Sequence, residues 1–189
     1  QSEFSPTGFL QIIAENRVSA TVTVPAMLMA VVGGLQVSDF DISSLRLLMY
    51  GASPMSFEWT ERVAKAFPDT DFLNCYGLTE TAPDLTIFDA VAFRSAIESG
   101  DRQGIVTSVG KPNPLVDLRV VGPDGKELQI GEAGELLARG PNIMTGYLNL
   151  PNDTKAAISD GWLHTGDLAR IDEEGYVYLL DRLKDLIIT

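Results

Sequence analysis

Cysteine, basic residues and long apolar runs are all scarce in this sequence. Its 14 Lys and Arg stand against 26 Asp and Glu, a formal charge of −12. Nucleic acids and anionic membranes are therefore disfavoured as partners, because both are bound through cations. The single cysteine, Cys75, cannot form an internal disulfide, which indicates a reducing compartment and predicts a cytoplasmic protein. The most apolar stretch, residues 18–35, is interrupted by polar residues, Pro25 and a Gly pair, so no transmembrane segment is predicted.

Several common catalytic motifs are also absent. The sequence has neither the Gly-x-x-x-x-Gly-Lys-Ser/Thr phosphate loop nor a Gly-x-Gly-x-x-Gly dinucleotide turn. One cysteine and one histidine cannot form a zinc cluster. His164 is the only base for a serine triad, and no Gly-x-Ser-x-Gly nucleophile accompanies it. Metalloenzyme and hydrolase functions therefore have little support.

The first half of the chain alternates between helix and strand patterns. Apolar and β-branched runs predict strands at residues 18–24, 45–50 and 71–75. Helical spacing of apolar residues predicts helices at residues 26–32 and 56–67 between them. Such alternation indicates a parallel sheet with helices on both faces. In sheets of this kind, ligands bind at the carboxyl ends of the strands.

From about residue 104 the pattern changes to short β-rich runs separated by turn residues. The candidate strands are residues 117–121, 135–139 and 176–180. A helix is predicted at residues 151–158, entered through Asn149 or Asn152. This rhythm is typical of a small antiparallel barrel or sandwich.

The two halves predict an α/β fold in two parts. Residues 1–103 form a parallel sheet flanked by helices, and residues 104–189 form a small antiparallel β-barrel-like unit. The polar stretch at residues 93–104 is interpreted as the loop between them.

Polar residues follow two of the predicted parallel strands, at residues 51–54 and 76–81. In the second cluster Tyr76 offers an aromatic face, Gly77 a close backbone approach, Thr79 a hydroxyl and Glu80 a carboxylate. These groups could stack on a planar base, bond a phosphate oxygen and hold Mg²⁺. The alternative is a buried tyrosine with Thr79 or Thr81 capping a helix, which spacing alone favours. Residues 51–54 have the alternative of an ordinary strand-to-helix turn.

Two further clusters lie near the carboxyl end. Asp167 follows a Thr-Gly pair, and its carboxylate could take both hydroxyls of a ribose; the commoner alternative is an Asp that stabilises its own turn. Residues 181–185 mix acidic and basic side chains, a composition that usually indicates a solvated surface.

Taken in order, these clusters resemble the motifs of the adenylate-forming (AMP-binding) superfamily. Residues 76–81 are similar to its Tyr-Gly-x-Thr-Glu motif, and residues 134–141 with 144–147 resemble its next signature. Residues 162–167 are similar to its Thr-Gly-Asp motif, and residues 181–187 to its hinge motif. The match spans almost the whole chain. Within the superfamily, the sequence is most like a fatty-acyl or aryl-CoA synthetase.

The resemblance implies nucleotide-binding roles for the matching residues. These residues are Gly51, Ala52, Ser53, Tyr76, Gly77, Thr79, Asp167 and Arg182. The first three line the adenine and acyl pocket. Tyr76 stacks on adenine, Asp167 takes the ribose hydroxyls and Arg182 contacts the ribose nearby.

The resemblance also implies a two-stage reaction. A carboxylic acid attacks the α-phosphate of ATP to give an acyl-adenylate and pyrophosphate, and the thiol of CoA then displaces AMP. Thr79 and Glu80 are the implied catalytic residues, of which Thr79 bonds the phosphate and Glu80 holds Mg²⁺. Lys184 matches the hinge about which a small C-terminal domain swings.

Two family segments have no counterpart in this sequence: the Lys-bearing phosphate loop and the C-terminal domain with its adenylation lysine. We therefore expect a fragment whose partners include the remaining parts of the same enzyme. Because catalysis at phosphorus relies on cations, we expect weak adenosine or AMP binding and no ATP turnover from this chain alone. The alternatives are an adenylation domain or acyl-AMP ligase that loads a carrier protein, and a non-catalytic nucleotide-binding module.

Overall fold

The computed structural model describes residues 3–100 and 104–183. The chain divides into two compact units, one of Gln1–Cys75 with Phe88–Thr107 and the other of Tyr76–Ile87 with Ser108–Thr189. Each unit therefore draws on two separate stretches of sequence. The predicted domain boundary at residues 103/104 stays a prediction.

The first unit contains a parallel sheet of three strands. These are β1 (Ala20–Thr23), β2 (Leu47–Gly51) and β3 (Asp71–Tyr76), with β2 in the middle. Met49 on β2 is opposite Val22 on β1 and Leu73 on β3. The parallel part of the predicted fold class is confirmed.

Four helices accompany this sheet. They are α1 (Pro6–Asn16), α2 (Pro25–Gly34), α3 (Phe57–Ala66) and α4 (Ala90–Ser99). Their inward faces form a core with the strands, in which the fully buried side chains include Leu10, Ile13, Leu28, Val31, Leu48, Val63 and Phe67. Among the described residues, every helix is too short or too polar to cross a membrane bilayer.

Helix α4 corrects the predicted loop at residues 93–104 over residues 93–99, which are helical. The Asp89 side chain caps this helix by accepting hydrogen bonds from the backbone N–H groups of Val91 and Ala92, both at 2.9 Å. Phe93 is buried and its ring stacks on that of Phe72, with 4.9 Å between centroids. Arg94 and Glu98 lie on the exposed side of this helix, which Asp89 caps.

The second unit is built from short antiparallel strands. They are β4 (Thr86–Phe88), β5 (Lys111–Pro112), β6 (Asp117–Val121), β7 (Gly134–Arg139), β8 (Ile158–Ser159), β9 (Trp162–Ile171) and β10 (Val177–Arg182). Residues Thr86 and Ile87 of β4 pair with β5, while the larger sheet has the order β10-β9-β7-β6 with β8 beside β9. The antiparallel character predicted for this half is confirmed.

Strand β9 passes through the Thr-Gly pair before Asp167, which is typical of a turn in sequence. A tight turn at Asp160 and Gly161, both with positive φ, starts the strand at Trp162. The strand then continues to Ile171, so Asp167 lies inside it. The alternative in which Asp167 only stabilises its own turn is therefore wrong.

Helix α5 (Pro151–Ala157) begins where predicted but has a different N-cap. Its N-cap is Leu150, which makes no side-chain capping bond, and Pro151 occupies the first turn. The expected entry through Asn149 or Asn152 is wrong, because the fixed φ of proline begins the helix without a polar cap.

Replacing Gly51 by Ala tests the close approach of β2 and β3. A Cβ at Gly51 would lie 2.2 Å from the carbonyl oxygen of Cys75, its partner on β3. We expect Gly51→Ala to lower the free energy of unfolding of the chain by about 1–3 kcal/mol, measured by urea denaturation. Gly34→Ala is the matched control, because nothing lies within 4 Å of its Cβ, and it should be neutral or stabilise by up to about 1 kcal/mol. Equal stabilities of the two variants would contradict the strand packing.

Candidate functional site

The centre of the candidate site is the carboxylate of Asp167 in the second unit. Tyr76, 91 positions earlier, donates its hydroxyl to Oδ2 at 2.5 Å. The guanidinium Nε of Arg182 lies 3.3 Å from Oδ1. An aromatic residue, an acid and a guanidinium that are far apart in sequence thus meet at one carboxylate, which is only 5% exposed.

The placement of Asp167 follows from the strands around it. Asp167 on β9 is directly opposite Arg182 on β10, so the sheet register brings the two side chains together. Thr165 accepts a hydrogen bond from the backbone N–H of Asp167 at 3.1 Å and donates to the carbonyl of Leu136 at 2.7 Å. Thr165 was not predicted as a site residue, although it lies in the Thr-Gly-Asp motif. It holds the irregular part of β9 that turns Asp167 inward.

Tyr76 is held as a neutral hydrogen-bond donor. Burial, followed by the hydrogen bond to Asp167, raises the pKa of Tyr76 well above its ordinary value. Its ring packs in the core of the second unit and is 9% exposed. In this structure Tyr76 therefore donates a hydrogen bond to Asp167. Its stacking on adenine stays a prediction, for which the small exposed part of the ring would have to be used.

The turn that follows Tyr76 is fixed by its own residues. A Cβ on Gly77 would lie 1.4 Å from the carbonyl oxygen of Pro83, so no other residue fits without moving the backbone. The buried hydroxyl of Thr81 accepts from the N–H of Leu78 at 2.8 Å and lies 2.7 Å from that same carbonyl oxygen. Thr81 thus closes the short 3₁₀ helix Thr79–Thr81. The side chain of Thr79, by contrast, is exposed.

Glu80 lies in this turn and contacts a second loop. The hydroxyl of Tyr147 donates to Glu80 Oε1 at 2.7 Å, and the N–H of Met144 donates to the Glu80 carbonyl at 2.8 Å. Asn142 Nδ2 donates to the carbonyls of Thr81 and Asp84 at 2.7 and 3.1 Å. Neither Asn142 nor Tyr147 was predicted, although Tyr147 ends one of the quoted motifs, because spacing alone cannot pair it with Glu80.

The described residues hold no cluster of three or more His, Cys, Asp or Glu that could bind a metal ion. Glu80 offers one carboxylate, whose Oε2 accepts no hydrogen bond from that part of the chain. Mg²⁺ usually takes one or two protein carboxylates and completes its shell with water and substrate phosphate. A single carboxylate therefore fits Mg²⁺ bound together with a nucleotide.

The other predicted site residues are placed as follows. Gly51, Ala52 and Ser53 belong to the first unit, where Gly51 ends β2 and Ala52 and Ser53 are exposed. Ala52 has a φ of 70°, a left-handed conformation that is strained for alanine. Their roles in a pocket stay predictions. Lys184, the predicted hinge, lies outside the described residues.

Comparison with known proteins places the chain in a family. The profile for AMP-binding enzymes matches residues 1–148. The chain belongs to the AMP-binding enzyme family. Among curated members, a feruloyl-CoA synthase of Amycolatopsis sp. is 35% identical over 188 residues. The medium/long-chain-fatty-acid–CoA ligase FadD8 of Mycobacterium tuberculosis is 36% identical over 189 residues.

Solved structures superpose on the whole chain. Amide bond synthetase McbA of Marinactinospora thermotolerans matches with a TM-score of 0.88 at 30% identity, and the alignment covers 36% of that protein. O-succinylbenzoate CoA synthetase (MenE) of Bacillus subtilis, in complex with ATP and a magnesium ion, matches with a TM-score of 0.83 at 28% identity and 37% coverage. The alignments with the two curated ligases cover 36% and 31% of their lengths. The chain therefore spans about a third of the relatives that it matches.

A double-mutant cycle tests the bond between Tyr76 and Asp167. Tyr76→Phe removes the hydroxyl and leaves a buried carboxylate oxygen unpaired, which should cost about 1–3 kcal/mol of stability. Asp167→Ala removes the same bond from the other side. We expect the double variant to lose less than the sum of the two single losses, by about 1 kcal/mol or more, in urea denaturation at neutral pH. Additivity within about 0.5 kcal/mol would contradict the contact.

Proposed function

We propose that this chain is the nucleoside-binding part of an AMP-forming acid–thiol ligase that makes acyl-CoA. The convergence of Tyr76 and Arg182 on the Asp167 carboxylate is the observation that carries the proposal. Membership of the AMP-binding enzyme family supports it, as do relatives named for CoA thioester products. The fragment alone is proposed to bind adenosine or AMP weakly and to lack catalytic activity.

Ribose binding at Asp167 is supported by the hydrogen-bonding capacity that the carboxylate retains. An ionised carboxylate has about four acceptor positions, and Tyr76 and Arg182 use one on each oxygen. The Arg182 side chain is 66% exposed and its contact with Asp167 is long at 3.3 Å. It can therefore move aside, so that the two ribose hydroxyls donate to Asp167 while Arg182 contacts the sugar.

The chemistry at phosphorus demands more positive charge than this chain supplies. In the proposed reaction a carboxylic acid attacks the α-phosphate of ATP, pyrophosphate leaves, and the thiol of CoA later displaces AMP. The exposed Thr79 is proposed to bond a phosphate oxygen and Glu80 to hold Mg²⁺, which neutralises phosphate charge when bound. The net charge of −12 supports the proposal that other parts of a full-length ligase, including a C-terminal domain that swings about Lys184, supply the remaining cations.

The acceptor is proposed to be CoA, because the curated relatives named above are CoA synthases and ligases. Transfer to a carrier protein is the alternative, and the acceptor that a full-length parent uses in a thioester-forming assay separates the two. A cytoplasmic location is proposed on the single cysteine.

Ribose recognition can be tested with AMP analogues. We expect the chain to bind AMP weakly, and 2′-deoxy-AMP about tenfold more weakly still, because a hydrogen bond to a charged group is lost. Asp167→Asn should reduce AMP affinity and remove the difference between the two ligands, both measured by NMR titration.

The matched control for this titration is Asp172→Asn. Asp172 also accepts a tyrosine hydroxyl, from Tyr178 at 3.0 Å, so the substitution makes the same chemical change at another acid. It should leave AMP affinity unchanged. Equal binding of AMP and 2′-deoxy-AMP by the unaltered chain, or pyrophosphate exchange by the chain alone, would refute the proposal.

A further inference from the structure

The hydrogen bond between Tyr147 and Glu80 joins a side chain without an assigned role to the carboxylate proposed for Mg²⁺. Tyr147 Oη lies 2.7 Å from Glu80 Oε1, and the two residues are 67 positions apart. We propose that Tyr147 is a positioning residue that orients Glu80 towards a divalent cation. This inference rests on the proposed function, because it assigns Tyr147 to the same site.

The loop that carries Tyr147 is attached to the Glu80 turn independently of the tyrosine hydroxyl. Met144 donates its N–H to the Glu80 carbonyl, and Asn142 donates its side-chain amide to the Thr81 carbonyl. The backbone of Tyr147 is itself held, because its N–H donates to the hydroxyl of Thr154 at 2.9 Å. Loss of the Tyr147 hydroxyl would therefore leave the loop in place and free only the Glu80 side chain.

The exposure of Tyr147 argues against a role in packing alone. The residue is 36% exposed, unlike Tyr76 at 9%, and its neighbours Leu148 and Leu150 are exposed as well. The phenol donates to Glu80 as a neutral group, because a tyrosine hydroxyl is protonated at physiological pH. A neutral donor orients the carboxylate without neutralising its negative charge, which remains available to a cation.

The geometry leaves Glu80 able to bind a cation while Tyr147 holds it. The hydroxyl occupies Oε1, and Oε2 accepts no hydrogen bond within residues 3–100 and 104–183. Metal-binding carboxylates are commonly held by such a hydrogen bond from a neighbouring side chain, and loss of that neighbour typically lowers metal affinity 10- to 100-fold. Tyr147 therefore has the position and the chemistry of a residue that acts on the metal through Glu80.

The first measurement establishes the bond in solution. In chain labelled with ¹³C at the tyrosine Cζ, Glu80→Gln should shift the Tyr147 Cζ signal at neutral pH, because the acceptor of its hydroxyl changes from a charged carboxylate to a neutral amide. An unchanged Tyr147 Cζ signal would overturn the proposal.

The second measurement uses Mn²⁺ as the probe, in the presence of AMP. Mn²⁺ should broaden the backbone NMR signals of residues 78–81 in the unaltered chain, and Tyr147→Phe should require about tenfold more Mn²⁺ for the same broadening. Glu80→Gln should abolish the effect. Tyr178→Phe is the matched control, because it removes a tyrosine–carboxylate hydrogen bond at Asp172, and it should titrate like the unaltered chain.

The outcomes separate this inference from the proposed function. If AMP binds through Asp167 but Tyr147→Phe keeps the original Mn²⁺ affinity, or Mn²⁺ does not broaden residues 78–81 in the unaltered chain, the role of Tyr147 is refuted and the nucleoside site stands. If AMP does not bind at Asp167, the proposed function fails whatever Mn²⁺ does. An unchanged ¹H–¹⁵N spectrum of Tyr147→Phe with weakened Mn²⁺ binding supports positioning over a purely structural role.

Discussion

A carboxylate buried in a protein must be paired, and the pairing of Asp167 joins Tyr76, β9 and β10 in the second unit. An uncompensated buried charge costs several kcal/mol, so Asp167 is stable at 5% exposure only with its hydrogen bonds in place. Tyr76 supplies a neutral donor from the end of β3, and Arg182 supplies a positive charge from the facing strand. Tyr76, β9 and β10 therefore meet at the Asp167 carboxylate. A small polar ligand could use the acceptor positions that remain on its oxygens.

The turn that carries Glu80 is held in place through contacts with its backbone. Gly77 and Thr81 close the turn through Pro83, and Asn142 and Met144 join it to the neighbouring loop. Gly77 and Thr81 of the motif therefore act on the backbone. The exposed Thr79 hydroxyl and Glu80 Oε2 form no hydrogen bond with the residues that the structure describes, and they can meet a ligand. This division explains why a short motif contains both small, tightly packed residues and polar ones.

Much of the fold could be predicted from the sequence because its elements carry strong local signals. Apolar and β-branched runs mark the parallel strands. The bounds of β6 match the prediction, since turn residues mark its ends. The sequence does not predict helix α4, because the charged residues after Phe93 are typical of a loop, and it does not predict β9, because Thr165 and Gly166 are typical of a turn. The contact of Tyr147 with Glu80 could not be predicted, because strand register and loop closure bring together residues 67 positions apart.

A crystal structure of the chain soaked with AMP tests the central claim most directly. The account predicts that both ribose hydroxyls lie within about 3.2 Å of the Asp167 oxygens, with Tyr76 still bonded to the same carboxylate and Arg182 beside the sugar. AMP bound elsewhere, with Asp167 still covered by Arg182, would contradict it.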